Sequence, residues 1–187
     1  MRGLIVLLIL SLPALAQGIP LTTAAREGLT ELLVAPGGAY QSYALYAKAL
    51  SLLGPAEPYR HFLDGERTKV EAIRRALRTY GVSFPQKNPY LGTLRLPKDP
   101  EALARMALAL EVKSVYLARR LSRVFADYAD LDALARTLEA ADETQAKLLR
   151  MAIAQGGTLG PDVVRGLARD LAGDPICPFV FGKGLCP

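Results

Sequence analysis

The chain has 187 residues, a formal net charge of +5 and no tryptophan. This length is sufficient for one domain with a substantial core, and such a modest basic excess points to no particular partner. The sequence has no Gly-rich phosphate loop and no cysteine in a nucleophile's context, and its single histidine provides no convincing Ser-His-Asp set. The enzyme classes built on those motifs are therefore excluded.

The first residues, MRGLIVLLILSLPALA, have the pattern of a secretory signal peptide. Arg2 precedes an apolar run, and Ala-Leu-Ala at 14–16 is a cleavage pattern. The run is shorter than the roughly 20 apolar residues that span a bilayer, which disfavours the alternative of an uncleaved anchor. We therefore expect removal of residues 1–16, a mature protein that starts at Gln17, and export to the periplasm, the cell envelope or the medium. We expect no membrane span after cleavage.

Helix patterns fill most of the remaining chain. Alanine and leucine are abundant, and glycine and proline fall between periodic segments. Asp99 and Pro100 form an N-cap and first-turn pair, and Asp130 is a second candidate N-cap. The pattern predicts a short helix over 22–34, four longer helices over 40–53, 58–81, 100–126 and from Asp130 to Gly156, and a last helix over 161–171.

The lengths of these helices and connections predict an all-α fold. Four helices of three turns or more, with a long connection over 82–97 between the second and third, indicate a four-helix bundle with one crossover and short flanking helices. We expect an N-terminal helical segment over 17–37, the bundle over 38–172 and a tail over 173–187.

The only two cysteines, Cys177 and Cys186, lie in that tail. In an exported protein a disulfide is the expected state. A redox pair normally has Cys-x-x-Cys spacing, and no histidine lies nearby to complete a zinc site. We therefore expect a structural disulfide.

Polar residues interrupt the apolar faces of the longer helices. Glu66 and Lys69 lie in the apolar face of helix two, and Asp142 and Gln145 interrupt that of helix four at the same spacing. Glu111 lies on the flank of the apolar sector of helix three. Inward carboxylates repel one another and lose hydration, so they require a metal, a cation or protons. An alternative is that Glu66 and Lys69 form an exposed pair at the edge of the bundle.

This arrangement resembles the ferritin-like carboxylate fold. The run FLDGERTKVEAIRRALRTYGV, residues 62–82, is similar to helix two of a secreted bacterial ferritin-like family with no assigned function, and YALYAK at 43–48 resembles its helix one. The resemblance covers residues 38–153. It implies a bundle in which two helices each provide one Glu and the other two each provide Glu-x-x-His for two metal ions.

The resemblance also assigns positions to the polar residues. Lys69 and Gln145 stand where the two histidines are expected, and Gln41 is the nearest counterpart of the helix-one glutamate. We expect Lys69 to replace the metal among Glu66, Glu111 and Asp142, and to pair with Glu66 and with at least one of the other two acids.

Two functions follow from the resemblance. In the first, the protein has no cofactor and a structural or binding role rather than an enzymatic one. In the second, it is a metal-binding or oxidase-type relative that holds iron or manganese on Glu66, Glu111 and Asp142. No nucleic-acid partner is expected, because the protein is exported and its arginines fall on solvated helix faces. The sequence leaves the partner open, and leaves open whether the chain forms a homo-oligomer.

Overall fold

The computed structural model describes residues 20–186. The predicted signal peptide and its cleavage site lie outside the described residues. The described part is mostly helical and contains no β-strand, which confirms the all-α prediction. None of its helices is long and apolar enough to cross a bilayer. The helices are α1 (Thr23–Val34), α2 (Ala39–Leu53), α3 (Tyr59–Thr79), α4 (Pro100–Val124), α5 (Ala129–Ala154), α6 (Pro161–Asp170) and α7 (Cys177–Phe181).

Side-chain hydrogen bonds cap the start of two of the described helices, α1 at Thr22 and α4 at Asp99. Asp99 caps α4, since its side chain accepts a hydrogen bond from the Ala102 amide at 2.7 Å, and Pro100 occupies the first turn. The prediction that Asp130 caps α5 is wrong. The helix begins at Ala129 with Tyr128 at the cap position, two residues before Asp130, which accepts a hydrogen bond from the Tyr80 hydroxyl at 2.7 Å.

The helices pack as two pairs with a long connection between them. α2 packs on α3, α4 packs along most of α5, and the pairs meet through α2 with α4 and α3 with α5. α1 contacts α2, α3 and α4. The buried apolar residues form two groups, one around Tyr46, Phe62 and Leu149 and the other around Ile73 and Phe125.

The connection between α3 and α4 is held against the helices by hydrogen bonds. The Tyr40 hydroxyl donates to the Pro85 carbonyl at 2.8 Å, and the Asn88 amide donates to the Tyr40 carbonyl at 2.7 Å. The Tyr90 hydroxyl donates to the Val34 carbonyl at 2.8 Å. This connection therefore has a defined position beside α1 and α2.

The C-terminal tail folds back onto α3 and α5 through the short helix α7. A disulfide joins Cys177 and Cys186, the predicted pair. Gly65 permits the close approach of α7, because a Cβ atom at that position would lie 2.5 Å from the carbonyl oxygen of Val180. The sequence did not predict α7, although it is part of the core.

Candidate functional site

Five polar side chains lie buried between the two apolar groups. We call them the polar cluster: Glu66 and Lys69 of α3, Glu111 of α4, and Asp142 and Gln145 of α5. None of the five residues is more than 5% exposed. A spacing of three residues places two side chains on one helix face, so α3 and α5 each contribute an adjacent pair. The alternative of an exposed Glu66–Lys69 pair is therefore wrong.

Lys69 is the centre of this cluster. Its Nζ donates to Glu66 Oε1 and to Gln145 Oε1, each at 2.5 Å, and to Asp142 Oδ1. An ammonium group has three N–H donors, and this arrangement uses all three. Lys69 thus joins α3 to α5 and places one positive charge between two acids.

Glu111 belongs to the cluster but has a different partner. It is fully buried, and the Tyr46 hydroxyl of α2 donates to its Oε1 at 2.6 Å. Lys69 pairs with Glu66 and with one of the two further acids, as predicted, and that acid is Asp142. Glu111 receives no hydrogen bond from Lys69, whose three donors are already used.

Gln41 lies outside the polar cluster, so its assignment to the core is wrong. It occupies the first turn of α2, is half-buried, and accepts a hydrogen bond from the Gly37 amide at 2.8 Å. That contact fixes the turn between α1 and α2. Tyr46 is the α2 residue that reaches the cluster, and the sequence analysis did not place it there.

Burial and charge act together on the ionisable groups. Burial raises the pKa of Glu66 to about 7, even though Lys69 opposes the change. Burial also raises the pKa values of Glu111 and Asp142 above their usual range. For Lys69, burial alone would lower the pKa, but Asp142, Glu66 and Glu111 together raise it. At neutral pH the ammonium is therefore retained, and the excess negative charge favours a proton on at least one carboxyl group.

Two carboxyl oxygens in the cluster have no hydrogen-bond partner among the described residues. They are Oε2 of Glu66 and Oε2 of Glu111, and both are buried. A cavity of about 20 Å³ adjoins Glu66, Lys69 and Asp142, with Ser42 also in its wall. A cavity of this size and polarity is large enough for one water molecule.

The three acids have the spacing of a metal site but not its surroundings. One oxygen from each of Glu66, Glu111 and Asp142 lies within 4.8 Å of the other two, and carboxylates suit manganese and iron. However, the Lys69 ammonium hydrogen-bonds to two of these acids and has no lone pair for a metal. The only histidine, His61, instead contacts Glu57, at 3.3 Å. The residues as placed do not fit a di-metal centre.

Comparison of the chain with protein-family models, with curated proteins and with solved structures gives no match.

Proposed function

We propose that this chain is an exported, non-catalytic protein with a ferritin-like four-helix core in which Lys69 replaces the metal ions. One observation carries the proposal. The Lys69 ammonium hydrogen-bonds simultaneously to Glu66, Asp142 and Gln145. These residues lie on the two helices to which the resemblance assigns the Glu-x-x-His motifs. A cation that is already bound between those ligands occupies the position a metal would take.

The order of the helices supports a ferritin-like core. α2 and α3 pair, a long connection follows, and α4 and α5 pair. α2 contacts the cluster through Tyr46, and α4 contributes Glu111. α3 and α5 each contribute a pair, Glu66 with Lys69 and Asp142 with Gln145. The ferritin-like pattern alternates in the same order between a single ligand and a ligand pair three residues apart.

The burial of the cluster supports a structural or binding role. None of its five members is more than 5% exposed, so a molecule outside the protein cannot touch them directly. The cluster instead links α3 to α5 through Lys69 and α2 to α4 through Tyr46. Any partner would therefore contact the outer surface of the helices.

Elemental analysis of the mature protein, purified without chelator, tests the proposal. We expect no stoichiometric transition metal, and added iron(II) or manganese(II) should leave the melting temperature unchanged. A site that bound either ion would stabilise the folded state by mass action. One or two equivalents of metal that disappear in Glu66→Ala would contradict the proposal.

A second candidate function is a metal-binding or oxidase-type protein that uses Glu66, Glu111 and Asp142. The convergence of their oxygens and the two unpartnered oxygens of Glu66 and Glu111 favour it. This function requires the Lys69 side chain to leave the cluster when the metal enters. Stoichiometric metal in the analysis above would support it.

The double variant Lys69→His/Gln145→His tests the ferritin-like resemblance itself. If the scaffold is ferritin-like, the two imidazoles restore the missing ligands, and manganese or iron should bind and raise the melting temperature. Lys147→His/Arg150→His is the control, because it adds the same number of histidines at exposed positions of α5, away from the cluster. If the core variant gains no more metal than this control, the resemblance is contradicted.

A further inference from the structure

A groove separate from the polar cluster lies between α2, α3 and the connection that follows α3. Its volume is about 520 Å³, and small-molecule sites commonly occupy about 300 to 1,000 Å³. The groove is open to solvent along one side. Its lining includes Tyr43, Arg67, Val70, Arg74, Lys87 and Leu91.

The walls of the groove are fixed in position. α2 and α3 form two of them, and the connection over 80–99 forms the third. Hydrogen bonds from the Tyr40 hydroxyl to Pro85 and from the Asn88 amide to Tyr40 tie this connection to α2. The Arg74 guanidinium lies over the Phe84 ring, 5.4 Å from its centroid, and ties the connection to α3. A groove with such walls is formed before any ligand arrives.

The groove carries positive charge that no acid balances. Arg67 pairs with Asp64 at 2.9 Å, and Glu71 lies 3.6 Å from Lys183. By contrast, Arg74 and Lys87 form no ion pair with any residue that the structure describes. Both positive charges are therefore available to bind an anion.

Arg74 is also incompletely hydrogen-bonded. Its Nη2 donates to Gln86 Oε1 at 3.0 Å, whereas its Nε is buried and has no partner. A guanidinium is a planar donor that suits carboxylate and phosphate oxygens. Because Nε is buried, it is the outer nitrogens of the guanidinium that can donate to a ligand oxygen in the groove.

Beside these cations the groove offers apolar surface. Val70 lies in its wall, and Leu91 is 52% exposed, one of the larger exposed apolar side chains in the described part of the chain. The half-buried ring of Tyr43 lines the same wall, and its hydroxyl hydrogen-bonds to no described residue. The surface thus combines an apolar strip with a hydroxyl donor and two unpaired cations.

We propose that this groove binds a small organic anion with an apolar body. Arg74 and Lys87 hold the acidic head group, and Tyr43, Val70 and Leu91 contact the body. The site shares no residue with the polar cluster, so this proposal does not depend on whether Lys69 replaces a metal.

Isothermal titration calorimetry of the mature protein with decanoate tests the proposal. Decyltrimethylammonium is the control ligand, because it has the same alkyl chain and the opposite charge. We expect decanoate to bind with an affinity that falls as salt is added, and we expect no binding of the cation. Absence of decanoate binding at millimolar concentration, or equal binding of both ligands, would overturn the proposal.

Matched variants locate the binding. Removing one charged donor from a head group typically weakens binding by about tenfold or more, and we expect this result for both Arg74→Gln and Lys87→Gln. Arg75→Gln is the control, because it removes the same charge from the same helix at an exposed position outside the groove. We expect it to change the affinity for decanoate by less than about twofold, since an exposed charge away from the contact contributes little to binding. Equal weakening by Arg75→Gln and Arg74→Gln would overturn the site, because only a diffuse charge effect would remain.

Discussion

Three buried carboxyl groups in one helical core cost several kcal/mol each unless a partner balances their charge. Lys69 binds the carboxyl groups of two of these acids, and the Tyr46 hydroxyl binds that of the third. The remaining negative charge is relieved by protonation, since burial raises the pKa of Glu66 to about 7. The cluster therefore has an explanation that requires no metal.

Tyr46→Phe should destabilise the protein by about 1 to 3 kcal/mol, because Glu111 Oε1 would lose its donor inside the core. Tyr43→Phe is the matched control on the same helix, since its hydroxyl hydrogen-bonds to no described residue, and it should be close to neutral. Urea unfolding measures both effects. Equal effects of the two variants would show that the Tyr46 hydroxyl does not stabilise Glu111.

The raised pKa of Glu66 predicts a pH dependence of stability. The folded-state pKa is about 7 and the ordinary value is 4.5, so between these pH values the folded state binds more protons than the unfolded state. Stability must therefore fall as the pH rises through this window.

When the pH rises from 5 to 7.5, we expect the unfolding free energy of wild type to fall by about 1 to 3 kcal/mol more than that of Glu66→Gln, because the variant cannot ionise at this position. Urea unfolding at the two pH values gives the difference. His61, whose pKa is lowered by burial, is present in both proteins, so its contribution to the pH dependence of stability cancels in the comparison. Equal losses in the two proteins would contradict the raised pKa.

The sequence predicted some cluster residues better than others. Glu66, Lys69, Asp142 and Gln145 stand out because each interrupts a clear apolar stripe. Tyr46 gives no such signal, because its ring packs like an apolar residue and only its hydroxyl is polar.

At the scale of helices, the docking of α7 depends on a glycine in α3. The Gly65 Cα faces the carbonyl oxygens of Phe179 and Val180, and a Cβ atom there would lie 2.6 and 2.5 Å from them. α7 also receives a hydrogen bond from the cluster, from the Gln145 amide to the Val180 carbonyl at 3.2 Å. The tail thus covers one side of the polar cluster.

Gly65→Ala should destabilise the protein by about 1 to 3 kcal/mol, the usual cost of overpacking, because α7 must shift. Gly166→Ala in α6 is the control, since a Cβ there meets no atom within 4 Å, and alanine favours a helix by roughly 0.5 to 1 kcal/mol. Thermal unfolding measures both variants. A Gly65→Ala protein as stable as the control would contradict the docking of α7.

Helix positions were easier to predict than helix contacts. Asp99 with Pro100 marks the start of α4, and glycines mark several ends, so local chemistry is sufficient for these boundaries. α7 is only five residues long and contains Pro178, so it leaves no periodic pattern. Its position depends instead on Gly65, more than a hundred residues away in sequence.

At the scale of the whole molecule, export is the expectation that governs where this protein acts. The disulfide between Cys177 and Cys186 is compatible with an oxidising compartment. We expect the exported protein to begin at Gln17. Intact mass and N-terminal sequencing of protein recovered from outside the cytoplasm test this, and an exported form that retains Met1 would contradict it.

The unfolding free energy of Lys69→Ala tests most directly whether Lys69 is the cation that holds the core together. Removing one partner of a buried ion pair typically costs about 3 to 5 kcal/mol, and we expect a loss of this size in denaturant at pH 7. Lys147→Ala, at an exposed position of α5, should change stability by less than about 0.5 kcal/mol. If Lys69→Ala is as stable as Lys147→Ala, the buried carboxyl groups do not need the Lys69 ammonium, and the account of a lysine in place of a metal is wrong.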